Sequence, residues 1–199
     1  MTISLPNCPA CQSTNIVPMF DMGAQPMSLV ALQSDPVESE ALDRYPIKLD
    51  ICRHCGHVFN SKFESQHVSY AAEGCRMYNN GSNWQTHIDD VYTLLHQYCV
   101  VDLVIEIGAG DCEFLSKLEL VSPTEPTPIK MAVDPCKAVE RAQEFDDILW
   151  ARENFMPEHL PLDAPDSLVI MRHLLEHMEK PRELLESVAS RAFQRGNKT

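Results

Sequence analysis

A chain of 199 residues has room for one ordinary domain or two small ones, and 44% hydrophobic residues suffice to bury a core. Lys and Arg number 16 and Asp and Glu 29, a formal charge of −13, which excludes the clustered positive surface that nucleic-acid backbones require. No apolar run approaches the ~20 residues of a membrane span and no basic stretch precedes an apolar one at the start, so a cytoplasmic protein without nucleic-acid or membrane partners is expected.

In chain order, the first signal is a pair of short cysteine turns. Asn7-Cys8-Pro9-Ala10-Cys11 and Ile51-Cys52-Arg53-His54-Cys55-Gly56-His57 form a C-x2-C…C-x2-C pattern. Each half suits a turn whose two thiolates point at one ion, and four thiolates give a closed tetrahedral site, the arrangement of structural zinc. Cys8, Cys11, Cys52 and Cys55 are therefore the candidate ligands and Zn2+ the expected ion. Unligated thiols or a redox pair are the alternatives, and His54 and His57 either replace a thiolate or are exposed neighbours. The chain has eight cysteines, which in a cytosolic protein read as ligands and free thiols rather than disulfides. Segment 12–45 is weakly periodic and reads as loops and short strands, with 46–51 the clearest strand and Val58-Phe59 continuing one. Residues 1–65 thus read as a zinc-binding domain.

Residues 66–100 read as a linker and a helix. The part up to 83 looks irregular, and Asn80-Gly81 is a turn signal. From Trp84 onward Ile88, Val91, Tyr92, Leu95 and Cys99 recur at i, i+3, i+4, i+7 spacing, the core stripe of a helix.

Residues 101–199 read as alternating strands and helices, an α/β domain. Strand Leu103–Ile107 carries an acid, Glu106, and runs into Gly108-Ala109-Gly110. A helix over 111–120 follows, with Phe114, Leu115 and Leu118 inward. Strand Ile129–Val133 ends at Asp134, which either binds a ribose diol, as acids at this place in nucleotide-binding folds do, or caps a helix over 136–145; both roles can coexist. Ile148–Ala151 is a third strand and Ser167–Met171 a fourth. Asn154 and Phe155 lie between them, where such folds contact adenine. A final helix starts at Pro181, with Leu184, Leu185, Val188 and Phe193 as its apolar face.

The strand–glycine loop–helix unit lets a backbone approach a nucleotide closely. A dinucleotide fingerprint needs a third glycine where Glu113 stands, and a phosphate loop needs Gly-Lys-Ser/Thr, which is absent. The remaining pattern, an acid two residues before Gly-x-Gly, resembles motif I of S-adenosylmethionine-dependent methyltransferases, with Cys112 in place of that motif's third glycine.

Four features in one order then make the chain resemble the N-terminal half of the zinc-binding C-methyltransferases of nucleotide-linked keto-deoxysugars. They are the two cysteine turns, Tyr78…Ser82…Trp84…His87, Val-Ile-Glu-Ile-Gly-Ala-Gly-Asp, and Arg172-His-Leu-Leu-Glu-His-Met178 with Pro181. The resemblance implies a class I Rossmann-like parallel sheet, of which strands one to four of the order 3-2-1-4-5-7-6 are present, behind the zinc domain. It implies that Glu106, Gly108, Ala109, Gly110, Asp134, Asn154 and Phe155 bind S-adenosylmethionine, and that Tyr78 closes over cofactor and substrate. His177 or His173 is then the base that removes a proton beside a keto group. The substrate would be nucleotide-sugar-like, and a partner chain or self-association would cover the edge of strand four. Two alternatives stay open: a non-catalytic zinc-binding interaction module with a vestigial cofactor fold, and methyl transfer to oxygen or nitrogen.

Overall fold

The computed structural model describes residues 7–26, 35–67, 81–161 and 166–196. The chain divides into two compact units, Met1–Ser69 with Glu176–Glu186, and Tyr70–Leu175 with Ser187–Thr199.

The first unit is built on a three-stranded antiparallel sheet, order β1-β2-β3, of β1 (Ile16–Pro26), β2 (Arg44–Cys52) and β3 (Val58–Asn60). A short helix α1 (Pro36–Glu40) lies between β1 and β2, capped by Asp35, whose carboxylate accepts from the Val37 N–H at 2.7 Å. The register sets Ile16 opposite Cys52 and Ile51 opposite Val58. Antiparallel pairing thus brings the start of β1 to the end of β2, and the first cysteine turn to the second. Among the described residues its buried apolar set is Cys8, Ile16 and Cys52, with Ala10, Cys11 and Phe59 packed against it.

The second unit carries a parallel sheet, order β6-β5-β4-β7, of β4 (Leu103–Ile107), β5 (Ile129–Val133), β6 (Ile148–Ala151) and β7 (Ser167–Met171). Alternation along the strands divides its side chains between two faces. Val104, Ala132, Leu168 and Ile170 meet Phe114, Leu115, Leu118, Val139 and Ala142 on one face. Ile88, Val91, Tyr92, Leu95 and Cys99 of α2 (Ser82–Tyr98) cover the same cluster, so the periodic stripe is a core stripe. Leu103, Ile105 and Ile107 meet Leu160, Phe155, Leu174 and Val188 of α4 (Pro181–Gly196) on the other.

The four parallel strands fall where the sequence places them. Other elements differ. Segment 12–45 holds an eleven-residue strand, β1, rather than loops and short strands. Its pairing with β2 shifts between Pro18 and Phe20 and again between Asp21 and Ala24, and Gly23 sits at φ 67. These irregularities break the period-two pattern that would have shown it. Helix α3 is only Glu113–Lys117, not 111–120, because the chain must turn extended to bridge Val121 to Val100. The expected helix at 136–145 is a 3-10 turn, Lys137–Glu144. At about 2.0 Å rise, eight such residues span about 16 Å, the length of a five-residue strand, which an α-helix of the same length would not reach. On α4, Leu185 faces solvent, against its expected place on the apolar face, and the Phe193 side chain lies outside the described residues.

Candidate functional site

The cysteine turns fold alike. In each, the residue after the second cysteine is left-handed, Gln12 at φ 62 and Gly56 at φ 78. Its N–H donates to the carbonyl of the first cysteine at 2.8 Å, Gln12 to Cys8 and Gly56 to Cys52. The first cysteine's N–H in turn donates to the carbonyl five residues on, Cys8 to Ser13 at 3.0 Å and Cys52 to His57 at 2.9 Å. Two identical backbone loops therefore face each other. The sulfurs of Cys8, Cys11, Cys52 and Cys55 all lie within 4.8 Å of one another. Cys8 and Cys55 are 3.7 Å apart, and Cys11 and Cys52 3.6 Å. A tetrahedral zinc site with Zn–S near 2.3 Å has sulfur–sulfur edges of about 3.8 Å, so donor set and spacing fit. The four cysteines can hold a metal ion such as zinc. His54 is exposed and His57 stacks on Phe59 at 5.7 Å, outside the sulfur set.

Burial opposes ionisation at Cys52, but the N–H groups of Cys55 and His54 and the neighbouring thiols outweigh it and bring the thiol down to about 6. At Cys11 the Ser13 N–H favours the thiolate, yet burial and the same neighbours push it up to about 12. Without a cation only part of this crowded set ionises; a dication supplies the compensating charge for all four.

In the second unit, β4, β5 and β6 run out to one side and β7 returns to the other side of β4. The carboxyl ends of β4 and β7 flank this reversal, where open α/β sheets bind ligands. The loop leaving β4 alternates in hand: Gly108, Gly110 and Cys112 have φ 76, 56 and 62, while Ala109 and Asp111 do not take positive φ. Gly108 donates to the Val133 carbonyl at 2.8 Å, and a Cβ there would stand 3.1 Å from Leu174 Cδ1. Such alternation gathers N–H groups into an anion-holding concavity, and here the anion is internal. Asp134 Oδ2 accepts from the Gly110 N–H at 2.9 Å, while Oδ1 accepts from the Cys136 N–H at 2.7 Å. Asp134 thus braces the loop and the start of the following turn, each oxygen keeping a second lone pair.

Glu106 is fully enclosed. Its Oε1 accepts from Nε of Arg172 at 2.8 Å and pairs with the same guanidinium through Nη2 at 2.8 Å. Its Oε2 is buried and has no hydrogen-bond partner. Burial pushes the Glu106 carboxyl up to about 7, against the pull of Arg172 and with help from Asp111 and Asp134. Arg172 lies 3.7 Å above the Phe114 ring, which stacks on Tyr92 at 4.8 Å, and Tyr92 donates to the Phe114 carbonyl at 3.0 Å. Sequence reasoning missed Arg172 as the partner of Glu106. The signal lay in the β4–β7 register: Ile107 pairs with Met171, so the next residue on β7 meets the start of the glycine loop.

Asp111 is tied to Arg141 at 3.1 Å. Cys112 is fully enclosed in its left-handed conformation, its thiol 3.7 Å from the Val139 carbonyl and pushed by burial up to about 12. Asn154 is exposed; Phe155 packs in the core beside Leu160, its ring 5.8 Å from His159. His173, at φ 50, places its ring 5.7 Å from that of Trp84. His177 is half-buried, in the turn Leu175–His177, and belongs to the first compact unit. Tyr78 lies outside the described residues. The structure therefore assembles Glu106, Gly108, Gly110 and Asp134 at one sheet end.

Compared with known proteins, the chain matches no family model and no curated protein. No described helix is long and apolar enough to cross a membrane.

Proposed function

We propose that the chain is an S-adenosylmethionine-dependent methyltransferase, with Zn2+ held by its four cysteines as a structural ion. The substrate class proposed is a nucleotide-linked keto-deoxysugar methylated at carbon. The observation that carries the cofactor assignment is the orphaned Oε2 of Glu106. A buried acceptor without a donor costs on the order of 1–3 kcal/mol, and at a glycine loop beside a sheet reversal the missing donor is a ligand's. The surrounding charge decides the ligand's sign. Glu106, Asp111 and Asp134 crowd the loop, and Asp134 already fills its anion concavity. A dinucleotide's pyrophosphate would be repelled, whereas a nucleoside bearing an ammonium and a sulfonium is attracted. The strand order 3-2-1-4 supports the same reading, since it is the order the resemblance implies.

Glu106 Oε2 would receive the ammonium end, the left-handed glycines would pass beneath the amino-acid part, and the second lone pairs of Asp134 would take the ribose hydroxyls. When bound, the cofactor supplies an electrophilic methyl group. His173, in the same unit as Glu106 and Asp134, would take the proton from the carbon beside the keto group, leaving an enolate poised for in-line attack. The test is calorimetric titration of the zinc-loaded protein with S-adenosylhomocysteine. Micromolar binding that falls at least tenfold in Glu106→Gln is expected; no binding by folded protein overturns the assignment.

A further inference from the structure

Glu106 and Arg172 stand side by side at the carboxyl ends of β4 and β7, and each keeps part of its bonding capacity unspent. Both contacts between them fall on one carboxylate oxygen, Oε1, at 2.8 Å from Nε and 2.8 Å from Nη2. Oε2 is buried with no donor. Nη1 has no acceptor among the described residues. The guanidinium is not free to turn and find one. Glu106 holds its Nε–Nη2 edge, and its face lies 3.7 Å above the Phe114 ring, which stacks in turn on Tyr92 at 4.8 Å. The Arg172 side chain is 28% exposed where that of Glu106 is 0%, so solvent, and hence a ligand, reaches the arginine side of the pair.

Among the described residues, the other arginines at this end of the sheet are engaged. Arg141 is shared between Asp111 at 3.1 Å and Glu144 at 3.4 Å. Arg152, just past β6, pairs with Glu140 at 2.8 Å. An anionic group entering this acid-rich loop therefore has the open edge of Arg172 to meet, and a cationic group has the orphaned oxygen of Glu106. An acceptor without a donor beside donors without an acceptor is complementary to a zwitterion whose ammonium and carboxylate share one carbon.

We propose that Arg172 is the positioning and specificity residue for the amino-acid end of the nucleoside: its open edge takes the α-carboxylate while Glu106 Oε2 takes the ammonium. The inference rests on the cofactor reading above and adds to it a demand for the carboxylate. A ligand with the ammonium alone would satisfy Oε2 and leave the guanidinium edge without an acceptor.

The test is calorimetric titration of the full, metal-loaded chain with three nucleosides. They are S-adenosylhomocysteine, its decarboxylated analogue, which keeps the ammonium, and methylthioadenosine, which lacks both groups. The decarboxylated analogue is expected to bind at least about tenfold more weakly than S-adenosylhomocysteine, the loss of one charge-assisted contact, and methylthioadenosine more weakly still. Arg172→Gln should narrow the tenfold gap to about threefold or less. Arg172→Lys keeps the charge but not the fork and should leave the gap in between. A merely structural arginine would weaken both ligands alike and leave the gap unchanged. Equal binding of S-adenosylhomocysteine and the decarboxylated analogue by the wild-type protein, or the full gap in a folded Arg172 variant, overturns the inference while the cofactor reading stands. Binding of none of the three overturns both. The wild-type comparison decides the matter even where Arg172→Gln fails to fold.

Discussion

Glu106 is the residue whose environment says most. Its carboxyl is raised to about 7 from an ordinary 4.5, so the folded state holds a proton that the unfolded chain has already released. Between those values the native state binds more protons than the unfolded one, and stability falls as pH rises through that window. The shift is worth on the order of 3 kcal/mol. Glu106→Gln should flatten this part of the stability–pH curve, measured by urea melts from pH 4.5 to 7.5; a wild-type curve that climbs across the window would contradict the assignment. Cys112 supplies a second prediction. A non-glycine residue at φ 62 costs about 1 kcal/mol or more in backbone strain. Cys112→Gly relieves that strain while losing the buried sulfur; Cys112→Ala keeps the strain and loses the sulfur. The glycine variant should be the more stable of the two by about 1 kcal/mol in chemical denaturation.

At the scale of elements, legibility followed burial. Strand β4 is a continuous run buried along its whole length and β7 an apolar run beside it, so composition alone marked their ends. The four-cysteine cluster was equally legible, because two C-x2-C turns suit four sulfurs converging on one point. The glycine turn after β4 was legible as a turn, but its hand alternation and the capture of Gly110 by Asp134 depend on how β5 lies beside β4. Arg172 was hidden for the same reason: a cross-strand register determines it, and register is not written in local spacing. The long strand β1 was hidden by its own Pro18, Gly23 and Pro26, which break alternation. The loop itself can be tested. Gly108 combines φ 76 with a 3.1 Å approach of Leu174 to a built Cβ. Gly108→Ala should cost about 1–2 kcal/mol, seen as a lowered melting temperature, and should weaken S-adenosylhomocysteine binding more than stability.

At the scale of the whole molecule, the two units differ in what holds them. The second has a two-faced apolar core. Among its described residues the first encloses three apolar side chains, two of them cysteines of the four-sulfur cluster, and so small a core leaves room for a metal ion to matter to its stability. A metal ion held by the four cysteines, which in small zinc domains contributes apparent energies of about 10–16 kcal/mol, would supply that stability. Cys52→Ser, or a strong chelator, should release the ion and abolish amide protection over β1, β2 and β3 while β4, β5 and β7 keep theirs in hydrogen exchange. A metal-free protein with unchanged protection in β2 would refute the structural role.

The pairing of Ile16 with Cys52 also bears on which parts of the chain are free to change length. Cys11 and Cys52 stand 41 positions apart, yet an ion held between them would sense only the two turn ends. Closing a loop of doubled length costs only about 0.6 kcal/mol more, a small charge against the binding energy of four thiolates. The connection between β1 and β2 is therefore a place where residues can be inserted or deleted without loosening the clip, while a single residue added inside either cysteine turn would open it.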